Sequence, residues 1–162
     1  MTYDALRRGR VSRPGHAYLV TTVTRHCKPA FRDLHLARRV INELRRADLD
    51  GRTTTLAFVL MPDHLHWLLQ LTGAATLSRT VHRFKGASSR AVNRQRPRDT
   101  ALWQRAFHDH AIRDHRDVRR AARYIVANPL RANLVIDIAD YPHWDAIWLG
   151  EESRRAVSGI WH

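Results

Sequence analysis

The stretch that decides the fold is Thr53-Thr-Thr-Leu-Ala-Phe-Val-Leu-Met-Pro-Asp-His-Leu-His-Trp-Leu-Leu-Gln-Leu71. Thr53 to Leu60 is β-branched and then apolar, the composition of a strand. Pro62-Asp63 interrupts it, and His64 to Leu71 continues as a further strand. Two apolar strands with so tight a break read as a hairpin at the centre of a sheet. Alternation along the second strand sends His64 and His66 out of one face, with Leu65 and Trp67 toward the core on the other.

Working outward, Tyr18 to Thr24 is rich in β-branched residues and predicts the first strand. Asp33 to Asp48 sets Leu34, Ala37, Val40, Ile41 and Leu44 at helical spacing, and Asp50-Gly51 closes it with a turn. Leu77 to Asn93 is helical in pattern, with Leu77, Val81, Phe84, Ala87 and Ala91 along one side. Trp103 to Ile112 alternates loosely and predicts a fourth strand. Asp114 is placed to cap a helix from about His115 to Ala127, ended by Pro129. The order β-α-β-β-α-β-α predicts an α+β fold, an antiparallel sheet with helices packed on one face. Residues 1–162 read as one domain, with a basic arm over 1–15 and a tail over 140–162 that shows no clear period. Trp144, Trp148 and Trp161 in that tail are candidates to close the core.

Lys and Arg total 28 against 15 Asp and Glu, a formal charge of +13. Such a field favours a polyanionic partner, nucleic acid above all. The single cysteine, Cys27, rules out an internal disulfide. No apolar run approaches a membrane span and Met1-Thr2-Tyr3-Asp4 does not open a signal peptide, so the expectation is a cytoplasmic protein with no membrane partner. Within the basic arm, Arg10 and Arg13 are candidate DNA contacts. So are Arg79, Arg83, Lys85 and Arg90 on the second helix, read as phosphate contacts rather than catalysts. Trp103 and Phe107 are candidates to stack on unpaired bases.

Two imidazoles side by side make a bidentate platform for a divalent metal. Spacing alone does not settle this, because the chain has eleven histidines and His108-Asp109-His110 repeats the pattern. Tyr124 falls at the edge of the stripe formed by Val118, Ala121, Ala122 and Ile125, with Asn128 one turn later on nearly the same side. Position alone also fits an amphipathic border tyrosine. A tyrosine can nonetheless attack a phosphodiester when a metal draws charge off the phosphate.

These residues resemble a known family. Met61-Pro-Asp-His-Leu-His66 with Trp67-Leu-Leu looks like the HUH motif (His, bulky hydrophobic, His) of single-tyrosine transposases. Phe84-Lys-Gly86, Trp103-Gln-Arg105, Asp109-His110 and Tyr124-Ile-Val-Ala-Asn-Pro129 look like further blocks in the same order. With Arg131-Ala132 and Leu134-Val135, the last block is most similar to the REP-associated tyrosine transposases, and the likeness runs from about Tyr18 to Trp148. The resemblance implies a ferredoxin-like or RRM-like sheet, His64, His66 and Asn128 as metal ligands, Tyr124 as nucleophile, and His110 behind the ligands or facing DNA. It implies cleavage of single-stranded hairpin DNA through a 5′-phosphotyrosine in a nucleoid-associated enzyme using magnesium or manganese, as monomer or homodimer. Manganese suits two imidazoles better, since magnesium prefers oxygen ligands. A non-catalytic hairpin DNA- or RNA-binding protein that kept the fold, and a metallohydrolase using activated water, remain the alternatives at this point.

Overall fold

The computed structural model describes residues 12–13, 15–96 and 100–148. Its strands are β1 (Ala17–Val23), β2 (Thr53–Leu60), β3 (His64–Leu71), β4 (His108–Ile112) and β5 (Trp144–Ala146), and its α-helices are α1 (Leu34–Leu49), α2 (Leu77–Asn93), α3 (His115–Val126) and the single turn α4 (Asn128–Arg131). The strands form one antiparallel sheet in the order β4-β1-β3-β2-β5, with the histidine strand at its centre. The expected α+β fold is thus observed, and β2 and β3 begin and end where the sequence places them.

The helices start where a side chain relieves their unpaired amides. Asp33 accepts from the His35 and Leu36 amides, Thr76 from Arg79 and Asp114 from Arg116. At the end of α1, Gly51 takes φ +69°, a left-handed conformation that suits glycine. One irregularity follows in β2, between Thr55 and Ala57. There the Asp48 carboxylate accepts from Thr53 Oγ1, Thr55 Oγ1 and the Thr55 amide, drawing that edge of the strand toward the end of α1.

Two apolar cores lie on the two faces of the sheet. Leu65, Trp67, Leu69, Tyr18, Val20, Phe58 and Leu60 pack against α1 and α2, with the Trp67 ring 5.1 Å from that of Phe84. Leu68, Ala57, Val59, Ala17 and Ile112 pack instead against Val118, Ala122, Ile125 and Val126 of α3. The expectation of helices on one face therefore describes α1 and α2, while α3 covers the other side. The physical reason lies in β3, where Leu68 is an apolar residue between His66 and Gln70 and needs a partner on that face.

Two further departures have local causes. The strand expected from Trp103 begins only at His108, and Trp103 makes an isolated bridge to Thr24. Between them, the carbonyls of Gln104, Arg105 and Ala106 turn to the ammonium of Lys85. The tail expected to lack regular structure contributes β5, which pairs with β2 at the sheet edge. Trp144 and Trp148 pack against the α3-side core as expected, and Trp161 lies outside the described residues. Among the described residues, no helix is long and apolar enough to cross a membrane.

Candidate active site

β3 sends His64 and His66 onto the face that α3 covers, their rings edge to face with centroids 4.9 Å apart. Each ring is held through Nδ1. His64 Nδ1 lies 2.6 Å from a carboxylate oxygen of Asp63, which can only accept, so Nδ1 carries the proton. His66 Nδ1 lies 2.8 Å from Thr21 Oγ1 on the neighbouring strand β1. Thr21 and His66 are direct cross-strand partners, so this contact follows from the register. With the Thr21 hydroxyl accepting, both Nε2 lone pairs are left for a ligand. Burial pushes His66 down to about 4, helped by the positive charge of His64 and then of Arg131. The ring is therefore neutral at physiological pH, the form a metal ligand requires.

α3 carries Tyr124 across the same face. Its stripe Val118, Ala122 and Ile125 is buried as expected, with Ala121 packed against it, and Tyr124 is 60% exposed. After Val126 the helix breaks at Ala127 and resumes as α4, whose first residues are Asn128 and Pro129. Asn128 has a fixed orientation. Its Nδ2 donates to the Ile125 carbonyl at 2.9 Å, and its Oδ1 accepts from Arg131 Nη2 at 2.8 Å. Arg131 also donates to the Tyr124 carbonyl at 2.7 Å and sets its guanidinium carbon 4.1 Å from the centre of the Tyr124 ring. Arg131 joins the three expected groups, since it touches Tyr124 and Asn128 and its charge is felt at His66.

The donor set suits a divalent ion that accepts two imidazoles. Two oriented nitrogens are available, the Asn128 amide oxygen is engaged by Arg131, and the partners on Nδ1 are the kind that fix metal-binding histidines. Among the described residues no group of three or more His, Cys, Asp or Glu side chains forms a ready-made cage. Further ligands would have to be water or substrate oxygens, as in sites that keep open positions.

Other expected site residues fall elsewhere. Lys85 is buried, and its ammonium donates to the carbonyls of Gln104, Arg105 and Ala106. All three of its protons are used there, so the reading of Lys85 as a phosphate contact gives way to a structural one. Burial lowers it to about 8, still charged at neutral pH. Trp103 is also buried, its Nε1 donating to Ser88 Oγ at 2.9 Å, and Phe107 is buried in the same core, so neither presents a face to a base. Arg79, Arg83 and Arg90 are exposed, but on α2, across the sheet from the histidines. Arg13 precedes β1, whose first residue pairs with Gln70 and whose last pairs with His64. Its amide donates to the hydroxyl of Tyr18, whose ring packs in the core on the α1 and α2 side of the sheet. Arg10 lies outside the described residues. His110 is exposed on the histidine face opposite Leu19, whereas His108 pairs with Thr21 in the same row as His66.

Sequence reading missed Asp63 and Thr21 as partners of the histidines, and Arg131. Arg131 lies three residues after Asn128 and seven after Tyr124 but beyond the break at Ala127, so spacing alone did not place it beside them. Sequence reading also missed a cationic stripe on α3 itself. Arg116 and Arg120 are exposed and stand eight and four residues before Tyr124, on the side of the helix that carries it.

Known proteins share the family and the fold. The family described as "Transposase IS200 like" matches residues 14–128. A REP-associated tyrosine transposase of Haemophilus influenzae is 32% identical over 99 residues, covering 55% of this chain and 56% of that protein. One of Escherichia coli is 30% identical over 87 residues, covering 53% and 50%. The chain thus spans about half the length of the curated relatives it matches. Among solved structures, a REP-associated tyrosine transposase bound to a REP hairpin superposes with a TM-score of 0.69 at 22% identity, covering 93% of this chain and 87% of that one. A transposase of Deinococcus radiodurans gives 0.53 at 22% identity over 70% and 90%. These two show the shared fold. The family match is broader than either of these two curated relatives, taking in 115 of the 162 residues from 14 to 128 and spanning both the histidine strand and the tyrosine helix. The chain belongs to the IS200-like transposase family.

Proposed function

We infer that this chain is a metal-dependent nickase and strand-transferase of single-stranded DNA, acting on hairpin-forming repeats through Tyr124. The observation that carries the reading is the placement of two histidines with oriented rings and, on the helix covering the same face of the sheet, an exposed tyrosine. The relatives named for REP-associated transposition, and a structural neighbour bound to a REP hairpin, support hairpin DNA as the partner. The charge of +13 supports a polyanion in general.

In this mechanism the Tyr124 hydroxyl oxygen attacks the scissile phosphorus. The bond from phosphorus to the 3′ oxygen breaks, the Tyr124 hydroxyl gives up its proton as the 3′ oxygen takes one up, and the 5′ end stays on Tyr124 as a phosphotyrosine. A free 3′ hydroxyl attacking that linkage reverses the step, so rejoining needs no ATP. His64, His66 and Asn128 would hold a divalent ion, manganese or magnesium, which would draw charge off the phosphate and orient its oxygens. Asp63 and Thr21 keep the two imidazole nitrogens aimed, and the burial of His66 keeps it deprotonated. α3 packs on the sheet of its own chain through Ile125 and Val126, which favours a single copy supplying both histidines and tyrosine.

The test is Tyr124→Phe with labelled single-stranded hairpins and manganese. Hairpin binding should persist, while cleavage and the covalent adduct should vanish. Cutting by the phenylalanine variant would mean that water is the nucleophile. Absence of cutting by the unaltered protein across a hairpin panel would leave a binding protein.

A further inference from the structure

Arg131 makes three separate contacts that converge on the expected chemistry. Nη2 donates to the Tyr124 carbonyl at 2.7 Å and to Asn128 Oδ1 at 2.8 Å, and the guanidinium plane covers the tyrosine ring at 4.1 Å. Among the described residues no carboxylate holds this arginine. Its two acceptors are a backbone carbonyl and a neutral amide, and neither cancels its charge. Asn128 cannot turn its oxygen elsewhere without abandoning the Ile125 carbonyl, because Nδ2 is bonded there at 2.9 Å.

A guanidinium in this position has two consequences. It fixes the tyrosine ring and the amide oxygen relative to each other across the break at Ala127. It also sets a positive charge, through a charge-assisted hydrogen bond, on the same oxygen that would ligate a metal. A second cation approaching that oxygen meets repulsion until something anionic draws the arginine aside. A phosphodiester is the natural group to do so, because the planar fork matches phosphate oxygens.

We propose that Arg131 is a positioning residue that clasps Tyr124 to Asn128 in the DNA-free protein and releases Asn128 Oδ1 to a divalent cation when a backbone phosphate binds the guanidinium. This rests on the reading of Asn128 as a metal ligand and Tyr124 as nucleophile. It adds an order of loading in which DNA comes first and the cation is then held tightly. Lysine could supply the charge at this position but not the flat surface over the ring or the paired donors.

The experiment uses the full chain as wild type, Arg131→Gln and Arg131→Lys, with two readouts. Manganese affinity is measured by electron paramagnetic resonance with and without a non-cleavable hairpin. The Tyr124 ring is followed by fluorine NMR of protein labelled with 3-fluorotyrosine and assigned through Tyr124→Phe, with no metal present. In the wild type, hairpin should tighten manganese binding by about tenfold or more and shift the Tyr124 resonance. Arg131→Gln should bind manganese roughly tenfold more tightly without DNA, lose most of the hairpin effect, and show a displaced Tyr124 resonance before any DNA is added. Arg131→Lys should keep manganese binding weak without DNA yet fail to restore the resonance. Unchanged DNA-free manganese affinity in Arg131→Gln, or a Tyr124 resonance indifferent to Arg131, overturns the clasp even if the hairpin is still cut. If both readouts behave as expected but the wild type never cuts DNA, the clasp stands and the proposed enzymatic function falls.

Discussion

Thr21 and His66 are cross-strand partners joined side chain to side chain, with Oγ1 2.8 Å from Nδ1. The sheet itself therefore aims one of the two imidazoles. Thr21→Val keeps the shape of the side chain and removes the hydroxyl. Manganese affinity, or single-turnover hairpin cleavage, should fall about 10- to 100-fold while thermal stability changes little, as for other partners behind metal ligands. A variant with undiminished metal affinity would show that the hydroxyl does not orient the ring.

His66 also makes stability depend on pH. Its folded value is about 4 against an ordinary 6.5, through burial, then His64, then Arg131. Between those limits the unfolded chain binds the proton and the folded chain does not, so stability rises with pH over that window. It is lost again as pH falls from about 6.5 to 4, by an amount on the order of 3 kcal/mol. Urea unfolding in chelator across that range should show this slope, and His66→Asn should flatten it. Some slope should remain, because burial and the charge of Arg38 lower His143 as well. An unaltered slope in His66→Asn would refute the assignment.

Lys85 offers a separate test of its structural role. Removing the ammonium strands three carbonyls in the segment between the Trp103 bridge and β4. Lys85→Met should cost about 2–3 kcal/mol and lower the melting temperature by roughly 5–10 °C. The salt dependence of hairpin binding should be unchanged in any preparation that is still folded. A reduced salt slope with full stability would return Lys85 to the DNA-binding surface.

The exposed arginines can be sorted by face. Arg116 and Arg120 share the side of α3 that carries Tyr124, and Arg83 and Arg90 lie across the sheet on α2. Double replacement by glutamine on α3 should lower the log–log salt slope of hairpin binding by about 1.4, two phosphates at 0.7 each for a single strand. The same change on α2 should lower it less. The reverse ranking would place the DNA on the α1 and α2 side.

Much of this was legible because the deciding signals are local. The hairpin β2–β3 is bounded by Pro62-Asp63, and α2 keeps its apolar period from Leu77 to Asn93, so their ends could be read residue by residue. The start of β4 was misplaced because Lys85, some twenty positions earlier, takes the carbonyls a strand would need. β5 was invisible because three residues become a strand only beside β2. The histidine pair and Tyr124 stood out through pattern and resemblance. Thr21 and Arg131 did not, since one depends on the register of β1 against β3 and the other on how the chain resumes after Ala127. Which arginines share a face with the histidines depends on where α3 packs, and that is settled by Leu68, Val59 and Ile125 meeting on one face of the sheet.

Between Ile112 at the end of β4 and His115 at the start of α3 lie only Arg113 and Asp114, and Asp114 is itself spent on capping the helix. A tyrosine mounted on so short a leash, with Ile125 and Val126 anchored in the core beneath it, has little freedom to carry cargo anywhere. If Tyr124 holds a DNA end as proposed, that end is parked over the histidines. Exchange then depends on the traffic of the other strand, whose free hydroxyl must come to the parked phosphate.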